Sequence, residues 1–297
     1  MSATRLPRSY AEMIEAKNLV FPPVTFERGK AFRPRPDDVI ITPWSKSGTT
    51  WLQQIVHGLR SGGDMNFDDI SRISPWIEVA DALGIDLDRD QGWEPRAFKS
   101  HYSHNAVPKG ARYIVSFREP HRVMVSYYRF YEGWLFEPGF VSIDEYVGGH
   151  LDRSLGKDYW SHMGSWWLQR DSDRVLLLSY ELMQDDLRAA VARVDRFLEI
   201  DGGPDLIDLV TAQSSLPFML EHGDRFDDLL HRQRATAIGA LPPSAGTTKV
   251  TDGVFDPDRY QMSPETVAVM KSHWREVMAE PFGLDTYDDL TEALRNR

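Results

Sequence analysis

The chain has no cysteine among its 297 residues. Disulfides, thiolate nucleophiles and cysteine-bound metals are excluded. No run approaches the ~18 apolar residues of a membrane span. The start, Met1-Ser2-Ala3-Thr4-Arg5-Leu6-Pro7-Arg8-Ser9-Tyr10, lacks the apolar core of a secretory signal. A cytoplasmic location is the expectation. Basic residues are in deficit, 34 against 45 acidic, for a net charge of −11. That sign argues against general nucleic-acid binding. It also means that a polyanionic ligand must be held by a local basic cluster. Acidic blocks such as Asp224–Asp228 and Asp285–Asp289 read as solvated faces and caps. Repeats and low-complexity segments are absent.

What is present is an alternation of apolar runs and helical patterns. Val39–Thr42, Arg96–His101, Tyr113–Phe117 and Val175–Tyr180 read as strands. Helices are expected near Thr50–Leu59, His121–Gly133, Ser161–Gln169, Asp186–Leu198 and Pro264–Met278. Continuous apolar strands between helices indicate a buried parallel sheet flanked by helices, an α/β fold. No linker divides residues 1–297, so one domain is expected. Residues 1 to about 30, dotted with proline, read as an irregular arm, and Ala240–Gly253 as a mobile loop.

The most informative segment is Val39-Ile40-Ile41-Thr42-Pro43-Trp44-Ser45-Lys46-Ser47-Gly48-Thr49-Thr50-Trp51. It reads as strand, tight loop, helix. Such a junction aims backbone N–H groups and a positive helix end at one point, which suits a phosphate. Lys46 adds a mobile cation and Gly48 permits close backbone approach. Ser47, Thr49 and Thr50 add hydroxyl donors. The common G-x-x-x-x-G-K-[ST] order is missing, because Lys46 precedes Gly48.

Two further constellations sit at strand ends. Arg118 follows Tyr113–Phe117, and Ser126 lies two helical turns beyond it. A guanidinium fork with a hydroxyl suits a phosphate monoester. Phe98-Lys99-Ser100-His101 closes another strand, and His101 is the candidate general base. His104 is the runner-up. His57, His121 and His162 fall on expected helices and read as structural.

Together these motifs resemble the cytosolic-type sulfotransferases, which use 3′-phosphoadenosine 5′-phosphosulfate (PAPS). Pro43, Lys46, Ser47, Gly48, Thr49, Thr50 and Trp51 match that family's 5′-phosphosulfate loop. Arg118, Pro120, Ser126, Tyr127 and Tyr128 match its 3′-phosphate motif in register. Lys99-Ser100-His101 matches the segment that carries its catalytic histidine. Trp166-Trp167 and Tyr180-Glu181-Leu182-Met183 are weaker matches. Ser214-Ser215-Leu216 falls where the family has Thr-Ser-Phe. The similarity spans roughly residues 25 to 290.

The resemblance implies a P-loop-like sulfotransferase fold, with PAPS as co-substrate and no metal. The acceptor would be a hydroxyl, less readily an amine, of a small molecule or lipid headgroup. His101 would deprotonate it. Lys46 would neutralise the bridging phosphate oxygen, and Lys99 would assist at the sulfuryl oxygens. Ser126 would hold the 3′-phosphate and restrain Lys46. Trp51 and Tyr180 would meet the adenine, with Ser214 and Leu216 nearby. ATP, lacking a 3′-phosphate, should bind far more weakly.

The family's basic C-terminal motif is degraded between Gly246 and Arg259, leaving Lys249 and Arg259 as candidates for its role. Thr266-Val267 lacks the flanks of the dimerisation motif, so a homodimer is possible and no more. Phe21, Phe67, Trp76, Trp134, Phe136 and Phe140 suggest a partly apolar acceptor pocket or simply core; Trp166 and Trp167 read as core. A rate rising through one ionisation near ~6–7 is expected of His101. The alternatives are a P-loop kinase of a small substrate and an inactive PAPS- or nucleotide-binding module.

Overall fold

A computed structural model describes residues 3–154, 156–246, 248–253 and 258–297. Its centre is a four-stranded sheet: β1 (Val39–Ile41), β2 (Ala97–Lys99), β3 (Arg112–Phe117) and β4 (Val175–Ser179). The spatial order is β2-β1-β3-β4 and every pairing is parallel. Ile41 lies beside Lys99 on one side and Ile114 on the other, and Phe117 lies beside Ser179.

The period-2 geometry of a strand explains why these runs are apolar throughout. Val39, Ile41, Ala97, Ile114 and Leu178 point into one core cluster. Ile40, Phe98, Tyr113, Val115, Phe117 and Leu177 point into the other. Both faces are covered, so neither can be polar. Burying each large aliphatic side chain contributes about 1.5–3 kcal/mol.

Helices α1 (Tyr10–Val20) and α2 (Pro23–Gly29) precede the sheet. The irregular arm expected over residues 1–30 is therefore corrected. Ser9 caps α1 by accepting from the Glu12 N–H, and Pro23 starts α2, where its missing N–H costs nothing. Met13 and Val20 are buried in the main core. Helix α3 (Thr49–Ser61) follows β1, and α4 (Pro120–Tyr131) follows β3. Then come α5 (Tyr159–Trp167), α6 (Leu187–Leu198), α7 (Gly203–Gln213) and α8 (Leu229–Ala237). Helix α9 (Pro264–Trp274) runs into a π turn at Arg275–Ala279, and α10 (Tyr287–Arg295) ends the fold.

Helices α7, α8 and α10 had no counterpart in the sequence reading. Acidic blocks concealed two of their starts. Asp228 immediately precedes α8, and Thr286 with Asp289 forms the capping box of α10. All four strands run the same way, so their C-terminal ends share one edge of the sheet. The segments leaving Ile41, Lys99, Phe117 and Ser179 converge there, as ligand sites of open α/β sheets do. Among the described residues no helix is long and apolar enough to cross a membrane.

Candidate active site

A cleft of about 560 Å³ opens over that edge. Lys46, Gly48, Thr49, Thr50 and Trp51 line it, with Lys99, His101, Arg118, Ser126, Tyr180, Ser214, Leu216 and Lys249. Ser47 lies beneath this lining, fully buried. Arg259 is absent from it.

The loop from Pro43 to Gly48 is built by backbone strain and close packing. Lys46 is left-handed at φ 66° and Gly48 at φ 99°. A non-glycine residue in that region needs outside support. Arg118 supplies it, donating from Nη1 to the Lys46 carbonyl at 2.9 Å. Ser116 Oγ donates to the Ser47 carbonyl. A Cβ on Gly48 would lie 3.1 Å from Tyr180 Cδ2 and 3.2 Å from Ser116 Oγ. Only glycine fits both this backbone and this gap.

Four cations, Lys46, Lys99, Arg118 and Lys249, converge near the loop. The Lys46 ammonium lies 4.2 Å from the Phe130 ring centroid, one helical turn beyond Ser126. Burial, then Lys249 and Arg118, lower Lys46 to about 7. Lys99 lies 4.2 Å from the Trp76 ring centroid, and burial followed by Lys249 lowers it to about 8. Burial disfavours an ammonium, and like charges add to that. A bound anion would reverse both effects. Thr49 Oγ1 and Arg118 Nε are buried and have no hydrogen-bond partner among the described residues. Buried orphan donors of this kind suit a phosphate group, which PAPS would bring.

His101 stands at the end of β2 with its orientation fixed. Its Nδ1–H donates to the Pro43 carbonyl at 2.7 Å, inside the phosphate loop itself. A carbonyl can only accept, so the proton is on Nδ1 and the lone pair on Nε2. The backbone N–H of His101 and the hydroxyl of Ser100 both donate to Glu78, at 2.5 and 3.0 Å. Burial raises Glu78 to about 7. Burial and then Lys99 hold His101 well below 6.5. The expected ionisation near 6–7 is corrected: His101 stays neutral to lower pH because its charged form is desolvated beside a cation. His104 lies off the cleft and meets the Trp166 ring edge-on at 5.2 Å.

The remaining expectations divide. Trp51 donates from Nε1 to the Ser214 carbonyl at 2.7 Å, and its ring meets Tyr180 edge-on at 5.4 Å. Arg118 covers the Tyr180 ring at 4.3 Å. Leu216 is 47% exposed at the rim. Phe21, Trp76 and Trp134 reach the cleft. Phe136, Trp166 and Trp167 are core, and Phe140 is exposed. His57 and His162 are buried, but His121 lines the cleft. Arg259, expected as a cofactor ligand, instead pairs with Glu132 at 2.7 Å and is not among the residues that line the cleft. Of the degraded segment, Thr247 and residues 254–257 lie outside the described residues.

The sequence reading missed Asp228. Although it ends the acidic block Asp224–Asp228, it is buried in the cleft. Lys249 lies 2.5 Å and Lys99 3.9 Å from its Oδ1. The two lysines overcome the burial penalty and hold its carboxyl well below the usual range. The loop from Ala240 to Gly253, expected as mobile, is tied at Gly246 to the Gly133 carbonyl and at Lys249 to Asp227. No local pattern flagged Asp228, because its partners lie 129 residues before it (228 − 99) and 21 residues after it (249 − 228).

Residues 36–280 match the sulfotransferase domain. Human sulfotransferase 1E1 is 30% identical over 201 residues, covering 64% of this chain and 68% of that protein. A 3-beta-hydroxysteroid sulfotransferase of Cavia porcellus is 32% identical over 200 residues, 64% and 69% of the two chains. Among solved structures, mouse sulfotransferase SULT7A1 complexed with PAP superposes with a TM-score of 0.63 at 17% identity, covering 93% of this chain and 94% of that one. Retinol dehydratase in complex with androsterone and inactive cofactor PAP also gives 0.63, at 15% identity, covering 95% and 100%. The chain belongs to the sulfotransferase family. It is an enzyme of the sulfotransferase class, and the kinase reading is not favoured.

Proposed function

We propose that residues 1–297 form one sulfotransferase domain in which His101 is the general base for sulfuryl transfer to a hydroxyl. The observation that carries this reading is the His101 Nδ1–H bond to Pro43. It ties the base to the loop that cradles the phosphosulfate and leaves Nε2 to take a proton. PAPS, when bound, supplies the sulfuryl group and a phosphate leaving group.

Lys46, Thr49, Thr50 and Gly48 would hold the 5′ end, with Ser47 beneath them. Arg118 and Ser126 would take the 3′-phosphate. Trp51 and Tyr180 would flank the base, between Ser214 and Leu216. Lys46 and Lys99 place positive charge where negative charge develops, and that preorganisation is the main catalytic resource in transfers of this type. An acceptor in the same cleft meets Phe21, Trp76, Trp134 and Phe130. A small molecule or lipid headgroup with an apolar body and a hydroxyl fits those walls better than a fully polar sugar. No residue here needs a metal to play its part.

The test separates chemistry from binding. His101→Ala should lose about 10²–10⁴ in turnover and keep its PAPS dissociation constant. Lys46→Ala should lose both. His104→Ala should lose neither. A His101→Ala enzyme that retains most of its turnover defeats the assignment.

A further inference from the structure

His101 is held from two sides, and the phosphate loop is only one of them. Its ring is tied to Pro43. Its backbone is gripped by residues 75–78, which run beside β2. The Pro75 carbonyl accepts from the Lys99 N–H at 2.8 Å, and Trp76 pairs with Lys99 in a parallel bridge. The Trp76 ring faces the Lys99 ammonium at 4.2 Å and meets the His101 ring edge-on at 5.1 Å. Glu78, in the 3₁₀ turn Ile77–Val79, reaches past the end of the strand. Its Oε1 accepts from the His101 N–H at 2.5 Å and from the Ser100 hydroxyl at 3.0 Å. Ser100 Oγ accepts in turn from the Tyr102 N–H at 3.0 Å. One carboxyl oxygen therefore fixes the turn that carries His101 out of β2. Glu78 and Ser100 are buried, so bulk water does not compete for these donors. Helix α2 braces the turn from behind: a Cβ on Gly29 would lie 2.8 Å from the Ile77 carbonyl oxygen and 3.1 Å from Glu78 Cα.

We propose that Glu78 is the positioning residue that sets His101, through its backbone, between the Pro43 carbonyl and the cleft. The proposal rests on the reading of His101 as general base given above. Glu78 is not among the residues that line the cleft, so it acts through His101 and not on a ligand. A carboxylate suits the role because one of its oxygens can accept two donors, and an ionised acceptor makes the shorter, stronger bonds. A base displaced by about 1 Å can lose on the order of 10²-fold in rate, which is what the turn prevents.

The test uses ¹⁵N-histidine NMR together with turnover. The signal of the His101 Nδ1–H, assigned by its absence in His101→Ala, reports the bond to Pro43. Glu78→Leu should shift or abolish that signal and lower kcat about 10–100-fold. Its KM for PAPS and its dissociation constant for adenosine 3′,5′-bisphosphate (PAP) should stay as in wild type. Glu78→Gln should restore both signal and kcat: it keeps Oε1, and its amide nitrogen takes the place of Oε2, which has no hydrogen-bond partner among the described residues. Melting curves check folding. Ser100→Ala removes one tie and keeps the carboxyl, so it examines the same turn in a milder variant, with a smaller loss of the same sign. An unchanged signal or an unchanged kcat in folded Glu78→Leu or Ser100→Ala overturns the proposal, and so does a Glu78→Gln enzyme as impaired as Glu78→Leu. If His101→Ala keeps wild-type turnover, the base reading falls and takes this proposal with it. If His101→Ala loses turnover and Glu78→Leu keeps it, only the proposal fails.

Discussion

Around the loop from Pro43 to Trp51, the backbone sets the anion-facing groups. Two positive-φ residues, a carbonyl clamp from Arg118 and a glycine wedged against Tyr180 hold it. Around Lys99, Asp228 and Lys249, charge sets them: two ammonium groups share one buried carboxylate. The first region is rigid through sterics and hydrogen bonds to its backbone carbonyls. The second depends on a balance of desolvation and Coulomb attraction that any new anion will disturb. The loop region should therefore lose ligand binding when altered, and the charge-paired region should lose stability.

The largest expected effect belongs to Asp228. Asp228→Ala strands two buried lysines and should cost about 3–5 kcal/mol of unfolding free energy. Adding Lys249→Met should recover part of it. Denaturant unfolding of both variants checks this; a single variant as stable as wild type would remove the charge-held description.

Next is Gly48→Ala. Its added methyl meets Tyr180 in a left-handed backbone, and PAPS binding should weaken by about 2–3 kcal/mol from strain and displacement. Melting should change much less than for Asp228→Ala. The reverse order would contradict the comparison of the two regions.

A smaller loss, about 1–2 kcal/mol of PAPS affinity, is expected of Trp51→Ala, the scale of aromatic stacking on a base. Quenching of tryptophan fluorescence by PAP should diminish with it. An unchanged dissociation constant would leave Trp51 a structural tie to Ser214.

The least dramatic effect is proton uptake. At pH 8, Lys46 (about 7) is mostly neutral and Lys99 (about 8) is half charged. An anion raises both, so binding near pH 8 should take up between about one and two protons. At pH 6 both are charged beforehand and uptake should vanish. Calorimetry in two buffers of different ionisation enthalpy reads the difference directly. The acid limb of turnover should lie below the ordinary histidine range, because burial and Lys99 hold His101 well below it; a limb at ~6–7 would mean that His101 is hydrated in the working enzyme.

Local signals made half the site legible. Strand, loop and helix lie within residues 39–61, so sequence spacing and spatial neighbourhood coincide there. The same holds for Arg118 with Ser126 and for Lys99 with His101. Even the arm was readable in part: Ser9 and Glu12 have capping spacing, although the prolines masked it. Asp228, Glu78 and the pairing of Arg259 with Glu132 were out of reach. Each depends on a partner brought in by the chain's return across the sheet, and no composition or period records that.

By itself the sequence determined the parallel apolar strands and the motifs that set Lys46, Gly48 and His101 at their ends. Those follow from residue type and short spacing, because φ/ψ limits and hydrogen-bond reach act over a few residues. Tertiary structure alone decided which charges are buried together and therefore what state they hold. It lowered His101, Lys46 and Lys99, turned Asp228 from a surface acid into a counter-ion, and turned the face of α4 toward the cleft. Burial and Coulomb energy depend on distance in space, and only the folded chain fixes that distance.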